Sequence, residues 1–406
     1  MNYRREKIAN CCVLVTSGGT PLTSVTSYYN PKEVPWLKTK EVNYSRIYNT
    51  ETYISKEGLD NSNAKLIPEN SVIVAMYGQG DTAGRVAINK IPLSTNQACC
   101  NLVINHKFAD YEFVYYALCS MYDSLVSLKN GGAQPNLNAT KIKEIEIPFP
   151  ELVVQRRIAR CLSNYDNLIE NNQKQIKLLE EAAQRLYKEW FVDFRFPGYE
   201  NTPIVNGLPE GWKKSPIGAN FRTVLGGTPS RANPNFWGGD INWINSGAVN
   251  NIRIIKASEY ITELGLEASS TKMMPKSTTL IAITGATLGQ VSFTEIETCA
   301  NQSVVGIIDE SQLYSKYVYL YVTEKIWHMI GKATGGAQQH INKEIVNAYP
   351  IVLPPVKIIK GFNEVVTPFF KKIATLLFQN EGLRKACDRL LPKLMSGEIE
   401  VSGKLS

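Results

Sequence analysis

The chain contains the same sequence pattern twice, about 205 residues apart. Gly-Gly-Thr-Pro occurs at residues 18–21 and again at residues 226–229, and the matches that follow keep an offset that falls from 207 to 205 and then to 204. The other matched positions are Trp36/Trp243, Gly58/Gly265, Pro68/Pro275, Ala75/Ala282, Gly78/Gly285, Gly84/Gly289, 96–97/301–302, 131–134/335–338 and Pro150/Pro354. A period of this length is too long for a solenoid or propeller repeat. The sequence therefore predicts two homologous domains in tandem, with different surfaces between the shared positions.

The composition is typical of an ordinary soluble protein. Hydrophobic residues make up 44% and charged residues 20% of the 406 residues, and each half is long enough to bury its own core. The sequence contains no apolar run of about 18 residues and no apolar segment of a signal peptide near its start. We therefore expect a cytoplasmic protein. The formal charge of +7 favours polyanionic partners without proving one.

Cysteine and histidine spacing predicts no metal site. The eight cysteines include no Cys-x-x-Cys pair, and the chain has only three histidines. Neither a zinc site nor a disulfide framework fits this spacing. We expect reduced and mostly buried thiols, as is usual for free cysteine.

Each half divides into a strand-rich part and a helical tail. Short runs of β-branched residues, such as residues 71–77 and 279–283, are bounded by Gly, Pro and Asn, which predicts an irregular α+β domain. The tails begin after prolines, which stop strands and can start helices. The predicted segments are variable domains at 1–150 and 201–354, and helical segments at 151–200 and 355–406.

Both tails carry apolar residues at alternating spacings of four and three, the pattern of a coiled-coil seam. The first seam extends from Ile158 to Trp190, and the second extends from Phe362 to Leu394. Each seam has one polar member, Asn172 in the first and Asn380 in the second. At about 1.5 Å per residue, each seam is about 48 Å long.

The two asparagines predict an antiparallel register. When the seams overlap fully, facing residues have numbers that total 552, and Asn172 and Asn380 meet this condition. A buried amide needs a hydrogen-bonding partner, and a facing amide supplies one while penalising other registers. We therefore predict an antiparallel helix pair. The alternative is that each helix docks on its own domain and that the asparagines match by coincidence.

Three residues in the second tail conflict with a continuous helix. Gly361, Pro368 and Pro392 all lie within or near the seam, and an interior proline removes a helical hydrogen bond. We expect a kink or a late start near Thr367, and an end before Pro392.

Motifs that resemble catalytic sites are incomplete in this chain. Residues 233–236, Asn-Pro-Asn-Phe, resemble the Asn-Pro-Pro-aromatic motif of amino-methyltransferases but lack the second proline. The glycines at 78–84 lack Rossmann spacing, and we interpret them as a turn between strands. Residues 331–333 do not complete a Walker A motif. No catalytic residue is predicted, and the sequence indicates a binding protein.

The candidate binding residues lie in loops rich in amides, hydroxyls and cations. Asn and Gln amides and Arg suit base edges, and Lys suits phosphates. For any single residue, a merely solvated polar loop is the alternative. The candidates in the first half are Ser17, Thr20, Arg85, Lys90, Gln134 and Asn136. Those in the second half are Thr228, Ser230, Arg231, Gln338, Gln339, His340, Asn342 and Lys343.

The chain resembles the specificity subunits of type I restriction-modification systems. The resemblance covers the whole chain and rests on the tandem arrangement, the two Gly-Gly-Thr-Pro motifs, Trp-Phe-Val-Asp-Phe-Arg-Phe-Pro-Gly at 190–198 and Leu-Met-Ser-Gly-Glu-Ile at 394–399. It implies two target recognition domains, each binding one half of a bipartite DNA site. It also implies two long conserved helices that join the domains as an antiparallel coiled coil with pseudo-two-fold symmetry.

The resemblance implies a division of labour among subunits. The helices would set the half-site spacing and dock two methyltransferase subunits, with Trp190, Phe191, Phe194, Leu394 and Met395 as docking candidates. S-adenosylmethionine, ATP and Mg would be bound by the methyltransferase and the restriction and translocase subunits, and this chain would hold no cofactor. The alternatives are a stand-alone DNA methyltransferase or nuclease, and a coiled-coil adaptor without a DNA role. The recognised bases do not follow from the sequence.

Overall fold

The computed structural model describes residues 3–78, 80–128, 137–333 and 340–401. The chain forms two compact units, a first unit of residues 1–169 with 382–406 and a second unit of residues 170–381. The first long helix is Leu152–Tyr187 and the second long helix is Val356–Ser396. Each unit therefore combines an α+β domain with a part of each long helix. The predicted boundaries of the four segments stay a prediction.

A five-stranded sheet is the centre of the first unit. Its strand order is Cys12–Ser17, Cys99–Ile104, Val72–Ala75, Val86–Asn89 and Ser45–Ile47, with the last two strands parallel. A three-stranded sheet consists of Thr52–Ile54, Val34–Leu37 and Ser94–Thr95, and Arg5–Lys7 pairs with Glu146–Pro148. The shorter helices are Ile8–Cys11, Lys56–Asp60, Tyr111–Cys119, Tyr122–Ser127 and Ala139–Lys143.

The second unit repeats this topology. Its five-stranded sheet has the order Arg222–Leu225, Val304–Ile308, Thr279–Ala282, Val291–Thr294 and Arg253–Ile254, again with the last two strands parallel. The smaller sheet contains Glu259–Ile261, Trp237–Ile244 and Cys299–Ala300, and Lys213–Pro216 pairs with Pro350–Leu353. A hairpin joins Ile204–Val205 to Leu208–Pro209, and the shorter helices are Glu263–Glu267, Ser315–Ala333 and Lys343–Ala348. The prediction of one α+β fold used twice is confirmed.

The central strand of each five-stranded sheet is buried on both faces. In the first unit, Val72 and Val74 pack in the core that contains the helix Tyr111–Cys119, whereas Ile73 and Ala75 pack in a separate core. Successive side chains of a strand point to opposite faces. A strand of four consecutive apolar residues is therefore what a sheet covered on both sides requires.

The two long helices form an antiparallel pair. In the second unit the Asn172 side chain Nδ2 donates to Asn380 Oδ1 at 2.9 Å, and both residues are buried. Further along the pair, the ring of Trp190 lies 5.8 Å from that of Phe362. Both pairs of residue numbers total 552. The predicted antiparallel coiled coil is confirmed.

The parts of both long helices in the first unit contribute to one hydrophobic core. Ile158 and Leu162 lie in one core with Leu390 and Leu394, and these pairs again total 552. Alternating apolar layers of this kind bury the seam without further polar groups. The helix pair therefore forms part of the core of each unit.

The prolines of the second long helix do not limit it as expected. The helix begins at Val356 and ends at Ser396, so the late start near Thr367 and the end before Pro392 are wrong. Both Pro368 and Pro392 lie on exposed positions, as do Glu364 and Asp388 one turn earlier. The carbonyl groups that each proline leaves without a helical donor therefore face water, which satisfies them.

Among the described helices, none combines the length and apolarity needed to cross a membrane. All eight cysteines are free, and each is buried or half-buried.

We predict that the amide pair fixes the helix register. Asn172→Leu should leave the buried Asn380 amide without its partner and destabilise the protein by about 1–3 kcal/mol. The double variant Asn172→Leu/Asn380→Leu should recover that stability, because both polar groups are removed together. Thermal melts of the parent, the single variants and the double variant measure the coupling.

The exposed neighbour Asn171 offers a matched control on the same helix. Asn171→Leu should leave the melting temperature nearly unchanged. Additive effects of the two seam substitutions would contradict the role of the amide pair.

Candidate nucleic-acid interface

The first Gly-Gly-Thr-Pro motif forms a loop pressed against its own unit. The backbone N–H of Gly18 donates to the Cys99 carbonyl at 3.2 Å, and that of Gly19 donates to the Thr95 carbonyl at 2.9 Å. A Cβ atom on Gly18 would lie only 2.2 Å from the Thr95 carbonyl oxygen. Glycine is therefore required here by close backbone approach.

The second motif repeats this geometry in the second unit. Gly226 donates to the Val304 carbonyl at 3.0 Å, and a Cβ atom on Gly226 would lie 2.1 Å from the Asn301 carbonyl oxygen. The indole Nε1 of Trp243 donates to the Gly227 carbonyl at 3.0 Å. In the first unit, Trp36 makes the same bond to Gly19 at 3.0 Å. The repeated tryptophans therefore hold the two loops in the same conformation.

The threonine of each motif orients a glutamine at the surface. Thr228 Oγ1 donates to Gln302 Oε1 at 2.6 Å, and Thr20 donates in the same way to Gln97. Both glutamines are exposed. Because the amide oxygen accepts from threonine, the amide NH₂ group remains to donate to an outside acceptor. Gln97 and Gln302 are not among the residues predicted from the sequence, although the repeated Asn-Gln pair at 96–97 and 301–302 is a signal for them.

An exposed arginine marks the loop of the second unit. The guanidinium of Arg231 forms two hydrogen bonds to the Glu259 carboxylate, at 2.6 and 2.7 Å. It also stacks on the ring of Trp237, with its Cζ atom 3.5 Å from the ring centroid. The hydrogen bonds from Arg231 lower the pKa of Glu259. The guanidinium is therefore held at the surface by an aromatic ring and a carboxylate, and its planar fork suits a planar partner.

The corresponding surface of the first unit has a different chemistry. There Tyr29 packs edge-on to Trp36, with ring centroids 6.1 Å apart, as Trp237 packs on Trp243. The Tyr29 hydroxyl donates to the Pro21 carbonyl at 2.8 Å. The same backbone therefore presents a tyrosine in one unit and a tryptophan carrying an arginine in the other.

Three candidates of the first unit lie near the five-stranded sheet. Arg85 Nη1 donates to Asn43 Oδ1 at 3.1 Å. Lys90 Nζ donates to Asn70 Oδ1 at 2.9 Å and to the Tyr111 hydroxyl at 3.0 Å, and its side chain is 18% exposed. Ser17 is half-buried at the end of its strand. Lys90 thus makes contacts within its own unit, and the predicted DNA contacts of all three residues stay predictions.

In the second unit, Asn342 has a structural partner. Its side chain accepts a hydrogen bond from the Ile345 N–H at 2.9 Å and caps the helix Lys343–Ala348. Asn138 caps the equivalent helix of the first unit in the same way, through the Lys141 N–H at 2.8 Å. Helix capping explains an asparagine at this position without a DNA contact.

The other candidates divide into exposed residues and residues outside the described ranges. His340 and Ser230 are exposed, and Lys343 is half-buried. Gln134, Asn136, Gln338 and Gln339 lie outside the described residues.

The docking candidates contribute mainly to the cores. Phe191 is buried among aromatic rings, including Tyr317 and Phe362, each 4.8 Å away between centroids. Leu394 and Met395 are buried in the first unit. Trp190 and Phe194 are half-buried. These contacts explain the apolar character of the segments, and their docking role stays a prediction.

The incomplete catalytic motif forms a turn. The Asn233 side chain accepts from the Asn235 N–H at 3.1 Å, and residues Pro234–Phe236 form one helical turn before the strand Trp237–Ile244. This local bond explains the Asn-Pro sequence as turn chemistry. Within the described residues, no group of three His, Cys, Asp or Glu side chains could hold a metal ion.

We predict that the motif glycines are required for the loop and its surface amide. Gly226→Ala should destabilise the second unit and displace Thr228 and Gln302, because the backbone must move to admit the Cβ atom. Gly382→Ala on the second long helix is the control, since a Cβ there meets nothing within 4 Å. The control should raise stability by about 0.5–1 kcal/mol. Thermal melts compare the two variants, and equal stability would contradict the packing argument.

The chain is similar to proteins of type I restriction-modification systems. The sequence profile described as "Type I restriction modification DNA specificity domain" matches residues 8–181 and 209–380. The chain is 29% identical over 402 residues to the specificity subunit of type I restriction enzyme MjaIX from Methanocaldococcus jannaschii, covering 95% of this chain and 91% of that protein. It is 23% identical over 355 residues to the HindI specificity subunit from Haemophilus influenzae, covering 71% of this chain and 77% of that protein.

A solved structure has the same fold. The crystal structure of a type I restriction-modification S subunit from M. genitalium superposes with a TM-score of 0.61, at 16% sequence identity. The superposition covers 97% of this chain and 96% of that chain.

Proposed function

The chain belongs to the family of type I restriction-modification DNA specificity subunits, and we propose that each α+β domain binds one half of a bipartite DNA site. As a member of this family, the protein recognises DNA in an assembly with other subunits and has no catalytic site of its own. The observation that carries the proposal is the repeated fold with different loop surfaces. Two copies of one scaffold with different exposed side chains suit two different short DNA sequences.

The loop of the second unit supports base recognition. A guanidinium held by Trp237 and Glu259 is a planar donor fork, the geometry that pairs with guanine O6 and N7. The pair with Glu259 lies at the surface, where solvent and salt screen an ion pair and weaken it. Arg231 can therefore exchange the carboxylate for a base edge at small cost. The loop of the first unit lacks this group and would read its half-site through other contacts.

The helix pair supports a second part of the proposal, namely a fixed distance between half-sites. Its seam is apolar except for the paired amides of Asn172 and Asn380. A shift of one helix by a heptad would separate these amides inside an apolar seam. The register, and with it the helix overlap, is therefore defined.

The remaining parts of the proposal concern partners and location. We propose that two methyltransferase subunits, together with restriction and translocase subunits, complete the enzyme. These partners would bind S-adenosylmethionine, ATP and Mg, while this chain supplies sequence recognition. A cytoplasmic location agrees with action on DNA.

We predict that recognition is modular. Replacing residues 1–150 with the equivalent domain of a relative should change one half of the methylated site and leave the other half unaltered. Replacing residues 201–354 is the reciprocal control and should change only the other half. Sequencing of methylated DNA, after assembly with methyltransferase subunits, gives the result. A change in both halves after a single exchange would contradict the proposal, as would methylation by the purified chain alone.

We also predict that the helices measure the spacing. Duplicating residues 170–176 and 376–382 together adds one heptad to each helix while keeping the facing register. The insertion lengthens the pair by about 10 Å at about 1.5 Å per residue. At about 3.4 Å per base pair, the spacer should grow by about three base pairs.

The change is measured as binding to a series of duplexes whose half-sites are separated by spacers of different length. Duplication in only one helix is the control, and it should disrupt the helix pair. Bending or twisting of the DNA, which costs only a few kcal/mol, can reduce the increase in preferred spacer length below three base pairs. If the folded double insertion keeps the preferred spacer length of the parent, the helices do not set the distance between the half-sites.

A further inference from the structure

A buried arginine lies between the five-stranded sheet and a long helix in the second unit. Arg253, in the strand Arg253–Ile254, has a fully buried side chain. Its Nη2 atom lies 2.6 Å from Glu180 Oε1 on the first long helix, and its Nε atom lies 3.5 Å from Glu295 Oε1. A buried guanidinium requires such carboxylates, because an isolated charge is costly away from water.

Aromatic rings surround the same guanidinium. The Cζ atom of Arg253 lies 4.2 Å from the ring centroid of Phe370 on the second long helix. It lies 4.5 Å from the ring of Tyr319 and 5.0 Å from that of Phe293. One side chain of the α+β domain therefore contacts both long helices, through charge on one helix and through a ring face on the other.

The first unit has an arginine at the equivalent position. Arg46 is paired in register with Ile88 in the adjacent parallel strand, as Arg253 is with Phe293. The side chain of Arg46 is 6% exposed, and its Nη2 atom lies 3.3 Å from Glu112 Oε1. Its Nη1 atom donates to Asn167 Oδ1 on the first long helix. The arginine contact with a long helix thus occurs once in each unit.

The charged neighbours of the two arginines have exchanged places. In the first unit, Lys90 follows the strand Val86–Asn89 and lies 3.8 Å from Glu112, the second residue of the helix Tyr111–Cys119. In the second unit, the residue after the equivalent strand Val291–Thr294 is Glu295, and the second residue of the equivalent helix Ser315–Ala333 is Lys316.

The exchanged pair of the second unit also interacts. Arg253 is the largest favourable charge acting on Glu295, followed by Lys276, and Lys316 adds a smaller attraction. Burial raises the pKa of Glu295 and of Glu180, whose side chains are each 18% exposed. Each unit thus keeps one arginine, one lysine and one glutamate at three equivalent positions, although the lysine and glutamate are interchanged.

We propose that Arg46 and Arg253 are positioning residues that fix each recognition domain on the long helices, and that the strand and helix positions beside them form an exchangeable charge pair. The proposal rests on the proposed function, because the orientation of a domain on the helices determines where its DNA-binding loops lie. Arg253 contacts both long helices and Arg46 contacts the first one, and such contacts resist sliding and rotation of each domain. The positions of the lysine and glutamate are interchangeable because each arrangement keeps a glutamate beside the guanidinium.

The test is a charge exchange in the second unit. Glu295→Lys adds a third cation to Arg253 and Lys316 and should lower the melting temperature by about 10 °C, given the large effect of breaking a buried pair. Lys316→Glu should also destabilise the protein, to a smaller extent. The double variant Glu295→Lys/Lys316→Glu recreates the arrangement of the first unit and should recover most of the loss. The reciprocal set is Lys90→Glu, Glu112→Lys and their double variant.

A surface pair on the same sheet is the matched control. Arg222 Nε lies 2.5 Å from Glu310 Oε1, with both side chains about half exposed or more. Glu310→Lys should change the melting temperature by no more than about 2 °C, because exposed pairs contribute little.

The functional readout is the preferred spacer of the assembled enzyme with its methyltransferase subunits. Glu295→Lys, measured below its melting temperature, should bind duplexes of neighbouring spacer lengths with at least about threefold less discrimination, while the preferred bases of each half-site stay the same. The double variant should restore the discrimination. If the cluster only stabilises the fold, Glu295→Lys should lower the fraction of protein that binds DNA and leave the relative affinities for different spacer lengths unchanged.

Two outcomes would overturn the inference. Additive melting effects of positions 295 and 316 would show that they do not form a pair. An unchanged spacer profile in a destabilised single variant would show that the arginine clusters do not position the domains. Failure of the parent protein to bind a bipartite site would instead contradict the proposed function. The melting temperatures of the single and double variants would still test the charge pair.

Discussion

The hydrogen bond between Asn172 and Asn380 is the constraint on which the helix pair depends. An apolar seam with a heptad period could shift by seven residues and still bury its side chains. The paired amides prevent this shift, because a displaced amide would lose its partner in an apolar surrounding. Both helices continue into the first unit, where Ile158 and Leu394 pack in one core. One polar layer therefore defines which residues meet along the whole seam.

The repeat separates the requirements of folding from those of recognition. The glycines and tryptophan of each loop are restricted by backbone contacts within about 3 Å, which are the same in both units. The residues that point outward from the same loops differ, as Tyr29 and the Arg231–Trp237 pair show. A scaffold of this kind allows the exposed side chains to change without disturbing the core. That property is what a family of DNA specificity subunits requires.

The buried arginines connect these two levels. Each lies at the outer strand of its five-stranded sheet and contacts a long helix, so the recognition domain and the helix pair share one electrostatic cluster. The lysine and glutamate nearby have exchanged positions between the units, although the arginine has not. Burial makes a carboxylate partner necessary for each arginine, and that carboxylate lies on a helix in the first unit and follows a strand in the second. Sequence comparison by residue identity misses this relation, because the exchanged pair does not match at either position.

The sequence alone determined the tandem repeat, the α+β class, the heptad seams and the facing asparagines, because each follows from a spacing that the chain itself records. Only the tertiary structure decided which side chains are exposed and which partners they contact. Pro368 and Pro392 are tolerated because they lie on the exposed face of the helix. Asn342 caps a helix, and Lys90 contacts Asn70 and Tyr111 of its own unit. Solvent exposure and hydrogen-bond partners depend on which distant segments come together, and no local pattern encodes them.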